Sequence, residues 1–178
     1  MEWQQLKMTI LNIDWVAVSS IAAVIVAIVA VLIVIVENKR DKFILGLKML
    51  LELSDHFNSD SMLETRRKAA VSLLDGSYDD ENVENLLDFF EMVGYLLKHR
   101  AINRQVLWCN ISYWIIHYWY AAQIHIERKQ QKIPARWENI RYLFRIISKI
   151  ERKKHGISVI TNESIKTFLE KERGSFNK

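Results

Sequence analysis

The chain has 178 residues, of which 50% are hydrophobic and 26% charged, and it contains one cysteine. A single cysteine excludes a disulfide framework and a cysteine-based zinc site. Residues 1–127 hold 11 Lys and Arg against 16 Asp and Glu, whereas residues 128–178 hold 14 against 5. The C-terminal third is therefore the part expected to attract anions.

Residues 15–36 form an uncharged apolar run, WVAVSSIAAVIVAIVAVLIVIV. As a helix the run is about 33 Å long, enough to cross a hydrocarbon layer of roughly 30 Å. A cleavable signal peptide has a shorter apolar core, positive charge before it and a small-residue cleavage site after it, and none of these fits. The run predicts one transmembrane helix, after a short outer segment at 1–14 and before one helical domain at 37–178.

The basic residues around the predicted span indicate its orientation. Lys7 precedes the span, whereas Lys39, Arg40, Lys42 and Lys48 follow it. By the positive-inside rule, the N-terminus faces out and residues 37–178 are cytoplasmic. We therefore expect a signal-anchor protein of the cytoplasmic membrane, with the lipid bilayer as a partner.

Small residues recur along the predicted span at Ser20, Ala23, Ala27 and Ala30. Such residues allow two helix backbones to approach closely, so they favour a homo-oligomer. The alternative is that Ala and Ser are simply tolerated on a helix surface that faces lipid.

Helical periodicity and capping signals predict an all-α fold, with a bundle of about six helices after the span. The expected helices cover residues 37–58, 61–75, 80–99, 103–131, 134–156 and 161–174. Ser61 opens a capping box at the start of the second, and Pro134 and Gly156 mark the two ends of the fifth. Residues 157–160 form a short apolar run that could be extended. Residues 105–126 are uncharged, which raises the alternative of a second span; their Asn, Gln and His residues favour a buried core helix instead.

No established catalytic or nucleotide-binding motif occurs in the chain, and its five glycines leave little for a phosphate-cradling loop. We therefore expect a protein that is not an enzyme and that needs no cofactor. His117 and His125 lie eight residues apart on one predicted helix and could bind a metal. The interpretation preferred is that they are hydrogen-bonded core histidines, so no metal is predicted.

Glu91 lies beside the apolar face of the predicted helix at 80–99. An unpaired carboxylate there would cost several kcal/mol, so it needs a cationic partner. Arg66, Arg67 and Arg136 are the candidates, and an internal ion pair is preferred to a catalytic role.

A basic stripe follows one side of the helix after Pro134, and its candidate ligand-binding residues are Arg136, Arg141, Arg145, Lys149 and Arg152. Three interpretations are open. The stripe is a solvated surface or a partner for the acidic residues Glu84 and Asp88; it contacts anionic lipid headgroups; or it binds a phosphate-bearing ligand such as a nucleotide. Duplex DNA is not expected, because no recognition motif is present.

Three segments resemble a known family: RRKAAVSLL at 66–74, LDFFEMVGYLL at 87–97 and IPARWENIRYL at 133–143. In this order, and after an N-terminal span, they are similar to bacterial membrane-anchored helical proteins grouped as domain of unknown function 4760. The resemblance covers about residues 37–150. It implies an inner-membrane anchor and a cytoplasmic helical domain with no established activity.

A looser similarity, in architecture only, links the chain to CRISPR-associated membrane effectors that sense cyclic oligoadenylates. The expected function is an oligomeric sensor or effector at the cytoplasmic membrane, gated by an anionic ligand such as a nucleotide and acting in defence. The alternative is a static membrane-anchored scaffold that recruits a protein partner.

Overall fold

The computed structural model describes residues 15–77, 80–156 and 160–174, with side chains described from residue 18 onward. The predicted outer segment at 1–14 and most of the run predicted as extended, 157–159, lie outside these ranges. The described residues form six helices and no strand: α1 (Trp15–Phe57), α2 (Asp60–Leu74), α3 (Glu81–Lys98), α4 (Arg104–Lys132), α5 (Glu138–His155) and α6 (Asn162–Gly174). The all-α prediction is confirmed.

Backbone contacts divide the chain into two units, residues 1–42 and residues 43–178. The first unit contains the apolar part of α1, whose large hydrophobic side chains from Val18 to Val36 are exposed. Among the described residues, α1 is the one helix long and apolar enough to cross a membrane. Residues 37–41 belong to this helix. The small residues Ser20 to Ala30 lie exposed on it.

The second unit is a helical bundle organised around α3. This helix packs most extensively against α5 and also against α2, while α2 contacts α6, and α4 contacts α5. The apolar face that periodicity predicted for α3 is buried throughout: Val83, Leu86, Leu87, Phe90, Val93 and Leu97. The last part of α1 joins this core through Leu50, Leu53 and Phe57.

The contact between α3 and α5 depends on Gly94. A Cβ at this position would lie 2.3 Å from the backbone carbonyl oxygen of Asn139, so only glycine allows the two helices to come this close. The glycine inside LDFFEMVGYLL is therefore a packing requirement.

Two predicted helix starts are wrong. The N-cap of α2 is Ser59 rather than Ser61, because the Ser59 hydroxyl accepts the Met62 N–H at 3.3 Å. Helix α5 begins at Glu138 rather than at Pro134, because Trp137 adopts a left-handed conformation with φ 55°. A residue in that conformation interrupts a right-handed helix, so the segment from Pro134 to Trp137 is a turn.

Helix α4 is a core helix, as preferred over a second span. Asn103 caps it by accepting the backbone N–H groups of Gln105 at 2.8 Å and Val106 at 3.3 Å. Seven of its buried side chains form one face of the helix and Ile116 lies outside that face: Leu107, Ile111, Ile115, Tyr118, Ala122, His125 and Ile126, with Ile116. Helix α4 therefore contributes side chains both to the core and to the wall of a cleft at the surface of the bundle.

Candidate ligand-binding cleft

A cleft of about 680 Å³ opens between α4, α5 and the start of α6. Its volume falls within the roughly 300–1,000 Å³ typical of small-molecule sites. The described residues that line it are Ser112, Tyr113, Ile116, His117, Tyr120, Phe144, Ser148, Glu151, Arg152, Gly156, Ile160 and Ser164. The lining combines aromatic rings, hydroxyls and one residue of each charge.

Aromatic rings form much of the cleft wall because α4 places them at steps of four and three residues. The rings of Tyr113 and His117 have centroids 4.2 Å apart, and Tyr120 meets Phe144 of α5 edge-on at 5.4 Å. Behind this wall, His117 contacts Phe168 of α6 at 4.9 Å. Rings held in this way offer stacking surfaces for a planar ligand group.

The polar groups of the cleft favour an anion at one end. The exposed Arg152 contributes a guanidinium, a planar donor suited to carboxylate or phosphate. Ser164 lies in the first turn of α6, where the helix dipole is positive. The other charged residue, Glu151, accepts the indole N–H of Trp108 at 2.7 Å. Among the described residues, the hydroxyl oxygen of Ser148 is buried and has no hydrogen-bond partner.

A buried polar cluster lies near the C-terminal end of α6, around Glu172. The guanidinium of Arg66 donates twice to Glu172, with both distances 2.8 Å. The same carboxylate accepts the hydroxyl of Tyr118 at 2.7 Å and the indole N–H of Trp114 at 3.2 Å. Burial and the neighbouring Glu172 hold the pKa of Tyr118 well above its ordinary value, so the phenol remains a donor. In the part of the chain that the structure describes, Arg66 and Glu172 form an ion pair with both side chains buried.

The predicted ion pair of Glu91 with Arg66 or Arg67 is therefore wrong, because both arginines bind other carboxylates. Arg67 binds Glu64 within α2 at 2.7 Å, and Glu91 instead caps α5. Its carboxylate accepts the backbone N–H of Ile140 at 2.9 Å and the side-chain amide of Asn139 at 2.7 Å. The physical reason is that Trp137, at the N-cap position of α5, provides no capping side chain, so a carboxylate from α3 satisfies the free amides.

Arg136 belongs to the fold rather than to the cleft. It donates to Glu84 at 2.9 Å, and its guanidinium lies 4.5 Å from the ring centroid of Trp137. Lys129 joins the same carboxylate at 2.7 Å, and this hydrogen bond is the main cause of the lowered pKa of Glu84. Asp88 accepts the indole N–H of Trp137 at 2.6 Å. Glu84 thus pairs with Arg136, one member of the predicted basic stripe, whereas Asp88 binds Trp137 in the turn before α5.

The rest of the predicted stripe divides between the surface and the cleft. Arg141 donates to Gln130 at 2.7 Å, Arg145 lies 5.6 Å from the ring of Tyr142, and Lys149 is exposed. Of the five predicted residues, Arg152 alone is among the described residues that line the cleft. Tyr113 and Tyr120 were not predicted as cleft residues, although their spacing around His117 was a usable signal.

The two histidines of α4 have separate surroundings. His117 lies at the cleft wall, and its Nδ1 is 2.7 Å from the carbonyl oxygen of Tyr113. His125 is buried, with its ring 5.4 Å from that of Trp137. Within the described ranges, no group of three or more His, Cys, Asp or Glu side chains is arranged to hold a metal ion.

A family model for a domain of unknown function, DUF4760, matches residues 17–147, which is most of the chain. The protein belongs to the DUF4760 family. The predicted resemblance is confirmed, and the match begins inside the apolar run. It ends within α5, so Glu151, Arg152 and α6 lie beyond the part of this DUF4760 protein that the family model covers. Searches of curated proteins and of solved structures found no match.

Proposed function

We propose that this DUF4760 protein is a membrane-anchored sensor. In this proposal α1 is a single-pass anchor with the N-terminus outside, and the bundle is a cytoplasmic domain that binds a small anionic ligand. The cleft of about 680 Å³, with Arg152 beside aromatic rings, is the observation that carries the proposal.

The ligand class follows from the groups that the cleft presents. A planar ring can stack against Tyr113, His117 or Phe144, and a phosphate or carboxylate can bind Arg152 near the N-terminus of α6. A nucleotide has both parts, and the cleft volume accommodates one. The carboxylate of Glu151 would repel a second negative charge bound near Arg152. The cleft therefore favours a ligand with one compact anionic group.

A chain of contacts links the cleft to the helix that carries the apolar run. Phe168, against which His117 packs, is on the same helix as Glu172. Glu172 holds Arg66, and Arg66 donates to the carbonyl oxygen of Phe57, the last residue of α1, at 3.3 Å. A ligand that binds one position of α6 more tightly than another would therefore bias the end of α1.

As an effector, the protein would respond to the ligand through the end of α1. The membrane-spanning helices of an oligomer would then pack differently against one another, and this change would act on the membrane. A role in defence is supported by architecture alone. Expression with and without residues 15–36 tests it: membrane depolarisation that needs both the span and the ligand supports an effector. A benign protein that only recruits a partner supports the scaffold alternative.

Ligand binding is tested by thermal unfolding of the full-length protein in detergent. The probes are adenine and guanine nucleotides, adenosine and inorganic phosphate, and the variants are Arg152→Gln and its matched control Arg145→Gln, which removes the same charge from the same helix outside the cleft. We expect a nucleotide to raise the Tm of the wild type and of Arg145→Gln. Losing a charge-assisted hydrogen bond of about 1.5–3 kcal/mol should weaken binding to Arg152→Gln roughly 10- to 100-fold.

The two variants also define how this proposal fails. If no probe shifts the Tm, or if both variants respond equally, the cleft is not the site of an anionic ligand.

A further inference from the structure

The turn between α3 and α4 holds a cation in a strained backbone conformation. Arg100 has φ 57°, in the left-handed region. Its N–H donates to Leu97 O at 3.1 Å and the N–H of Ala101 donates to Leu96 O at 2.9 Å, a pair of bonds that commonly ends helices with glycine in the left-handed position. An L residue there is strained, whereas glycine would not be. Strained backbone conformations are common where a side chain has a function, so we infer a function for the side chain of Arg100 from its surroundings.

The surroundings of Arg100 are basic and exposed. His99 and Arg104 are exposed on either side of it, while the neighbouring Lys98 is paired with Glu138 at 2.7 Å. Helix α1 passes the same turn, since a Cβ on Gly46 would lie 2.7 Å from the carbonyl oxygen of Ala101. Lys48, two residues further along α1, is exposed at this end of the bundle.

Apolar side chains are exposed at the same end. Tyr95 of α3 is 52% exposed, and its ring centroid lies 4.4 Å from that of His99. On α1, Phe43 is also 52% exposed and Leu47 is 39% exposed. Basic groups mixed with exposed aromatic and aliphatic groups are typical of surfaces that lie in the interface layer of a membrane.

The length of the chain limits how far this surface can lie from the end of the apolar run. Gly46 is ten residues after Val36, which is about 15 Å of helix. The headgroup layer takes up roughly 5–7 Å of that distance, and long basic side chains can bridge much of the rest. Attraction of Lys and Arg to an anionic leaflet acts over about this range.

We propose that the α3–α4 turn is a docking surface for anionic lipid headgroups, with Arg100 and Arg104 as its phosphate-binding residues. Lys48 adds charge, and Tyr95 and Phe43 provide the interfacial apolar contacts. The surface is separate from the cleft and from the basic stripe of α5. It rests on the anchoring part of the proposed function and not on the ligand.

The experiment places the full-length protein in vesicles of phosphatidylcholine, with or without phosphatidylglycerol. In a Cys109→Ser background, a fluorophore is attached at Gln105→Cys, in the first turn of α4, and quenched by lipids with spin-labelled headgroups. Gln131→Cys is the control label, because 26 residues of the same helix separate it from the first label, about 39 Å. We expect phosphatidylglycerol to increase quenching at position 105 and to leave position 131 unchanged.

Two sets of variants test the cause. Arg100→Gly with Arg104→Gln should weaken the lipid-dependent quenching, roughly five-fold for each cation removed. The control Arg141→Gln with Arg145→Gln, which removes two cations from α5, should retain it. Arg100→Gly alone should keep or raise the Tm while reducing quenching, a combination that a purely structural role of Arg100 would not produce.

Quenching at position 105 that is equal in both lipid compositions, in protein that floats with the vesicles, would overturn the docking surface and leave the anchor intact. An equal loss of quenching in the control Arg141→Gln with Arg145→Gln would also overturn the docking surface, because it would show that the lipid attracts the protein through its total positive charge. Protein that floats with neither vesicle type would overturn the anchor and this inference together, whereas the nucleotide test of the cleft stands apart from both.

Discussion

Glu172 shows how one residue can hold four parts of this fold together. Its carboxylate receives hydrogen bonds from Arg66 of α2 and from Trp114 and Tyr118 of α4, and Arg66 extends the cluster to the carbonyl oxygen of Phe57 in α1. Both charged side chains are less than 10% exposed. Because the charges are paired and further hydrogen-bonded, their burial is tolerated; removing either one would leave the other uncompensated.

Glu172→Gln should therefore lower the free energy of unfolding by about 3–5 kcal/mol. Glu170→Gln, at an exposed position two residues earlier on α6, is the matched control and should change it by less than about 0.5 kcal/mol. Urea unfolding followed by tryptophan fluorescence measures both variants. Similar values for the two would mean that the Arg66–Glu172 pair contributes little to the stability of the bundle.

At the scale of the helices, the contact of α3 with α5 combines shape and charge. Gly94 allows close approach to Asn139, and Glu91, three residues earlier, caps the start of α5. One turn further back, Asp88 holds the indole of Trp137. Positions 88, 91 and 94 lie in the segment LDFFEMVGYLL and contact the start of α5, which lies in the segment IPARWENIRYL. This packing is a structural reason for the two segments to occur in the same chain.

Gly94→Ala should destabilise the bundle by about 2–3 kcal/mol, although alanine favours helix, because the added methyl group meets a backbone atom that cannot rotate away. Gly174→Ala is the control, since a Cβ there has nothing within 4 Å. Thermal unfolding in detergent compares them, and hydrogen exchange at the start of α5 should increase in Gly94→Ala alone. A neutral Gly94→Ala would contradict the close packing of these helices.

At the scale of the whole molecule, three ion pairs make stability depend on pH. Hydrogen bonds from Arg67 to Glu64, from Lys129 to Glu84 and from Lys98 to Glu138 lower the pKa of each carboxyl below its ordinary 4.5, in Glu64 to about 2. Each carboxylate thus stays charged in the folded state at a pH where the unfolded chain takes up a proton. Their contribution is complete above about pH 4.5 and is lost as the pH falls toward 2.

We expect the Tm of the full-length protein to be lower at about pH 3 than at about pH 6, with most of the fall below about pH 4.5. Glu84→Gln should lower the Tm at the higher pH and make its dependence on pH less steep. The Glu64 and Glu138 pairs lie at exposed surfaces and should each contribute little. Calorimetry over this range provides the measurement, and a Glu84→Gln profile parallel to that of the wild type would show that this carboxyl has no part in the acid sensitivity.

The single cysteine offers a test of the proposed topology without any mutation. Cys109 is exposed on α4, so if the bundle is cytoplasmic, a membrane-impermeant maleimide should label it only after the cells are permeabilised. A variant with Cys109→Ser and a new cysteine at Glu2 should show the reverse. Labelling of Cys109 in intact cells would place the bundle outside and contradict the orientation expected from the basic residues after the apolar run.

The sequence alone was sufficient for the apolar run, for the helices and for the family, because these depend on patterns that are local in the chain. An uncharged run of sufficient length and an apolar face repeating every three or four residues have the same meaning in any helical protein. The buried face of α3 follows from such a pattern. The start of α5 was missed because Asp88 holds the indole of Trp137 and Glu91 accepts the backbone N–H of Ile140, and both carboxylates belong to another helix.

Partners and cavities required the tertiary structure. Arg66 and Glu172 are 106 residues apart, and nothing near Glu172 in the charged segment LEKERG distinguishes it from a surface residue. The same holds for Arg152, which the sequence placed in a stripe with four other cations and which the packing of α4, α5 and α6 places at a cleft. Which charge is buried, and which one meets a cavity, depends on how helices from distant parts of the chain pack, and periodicity along one helix carries no information about that packing.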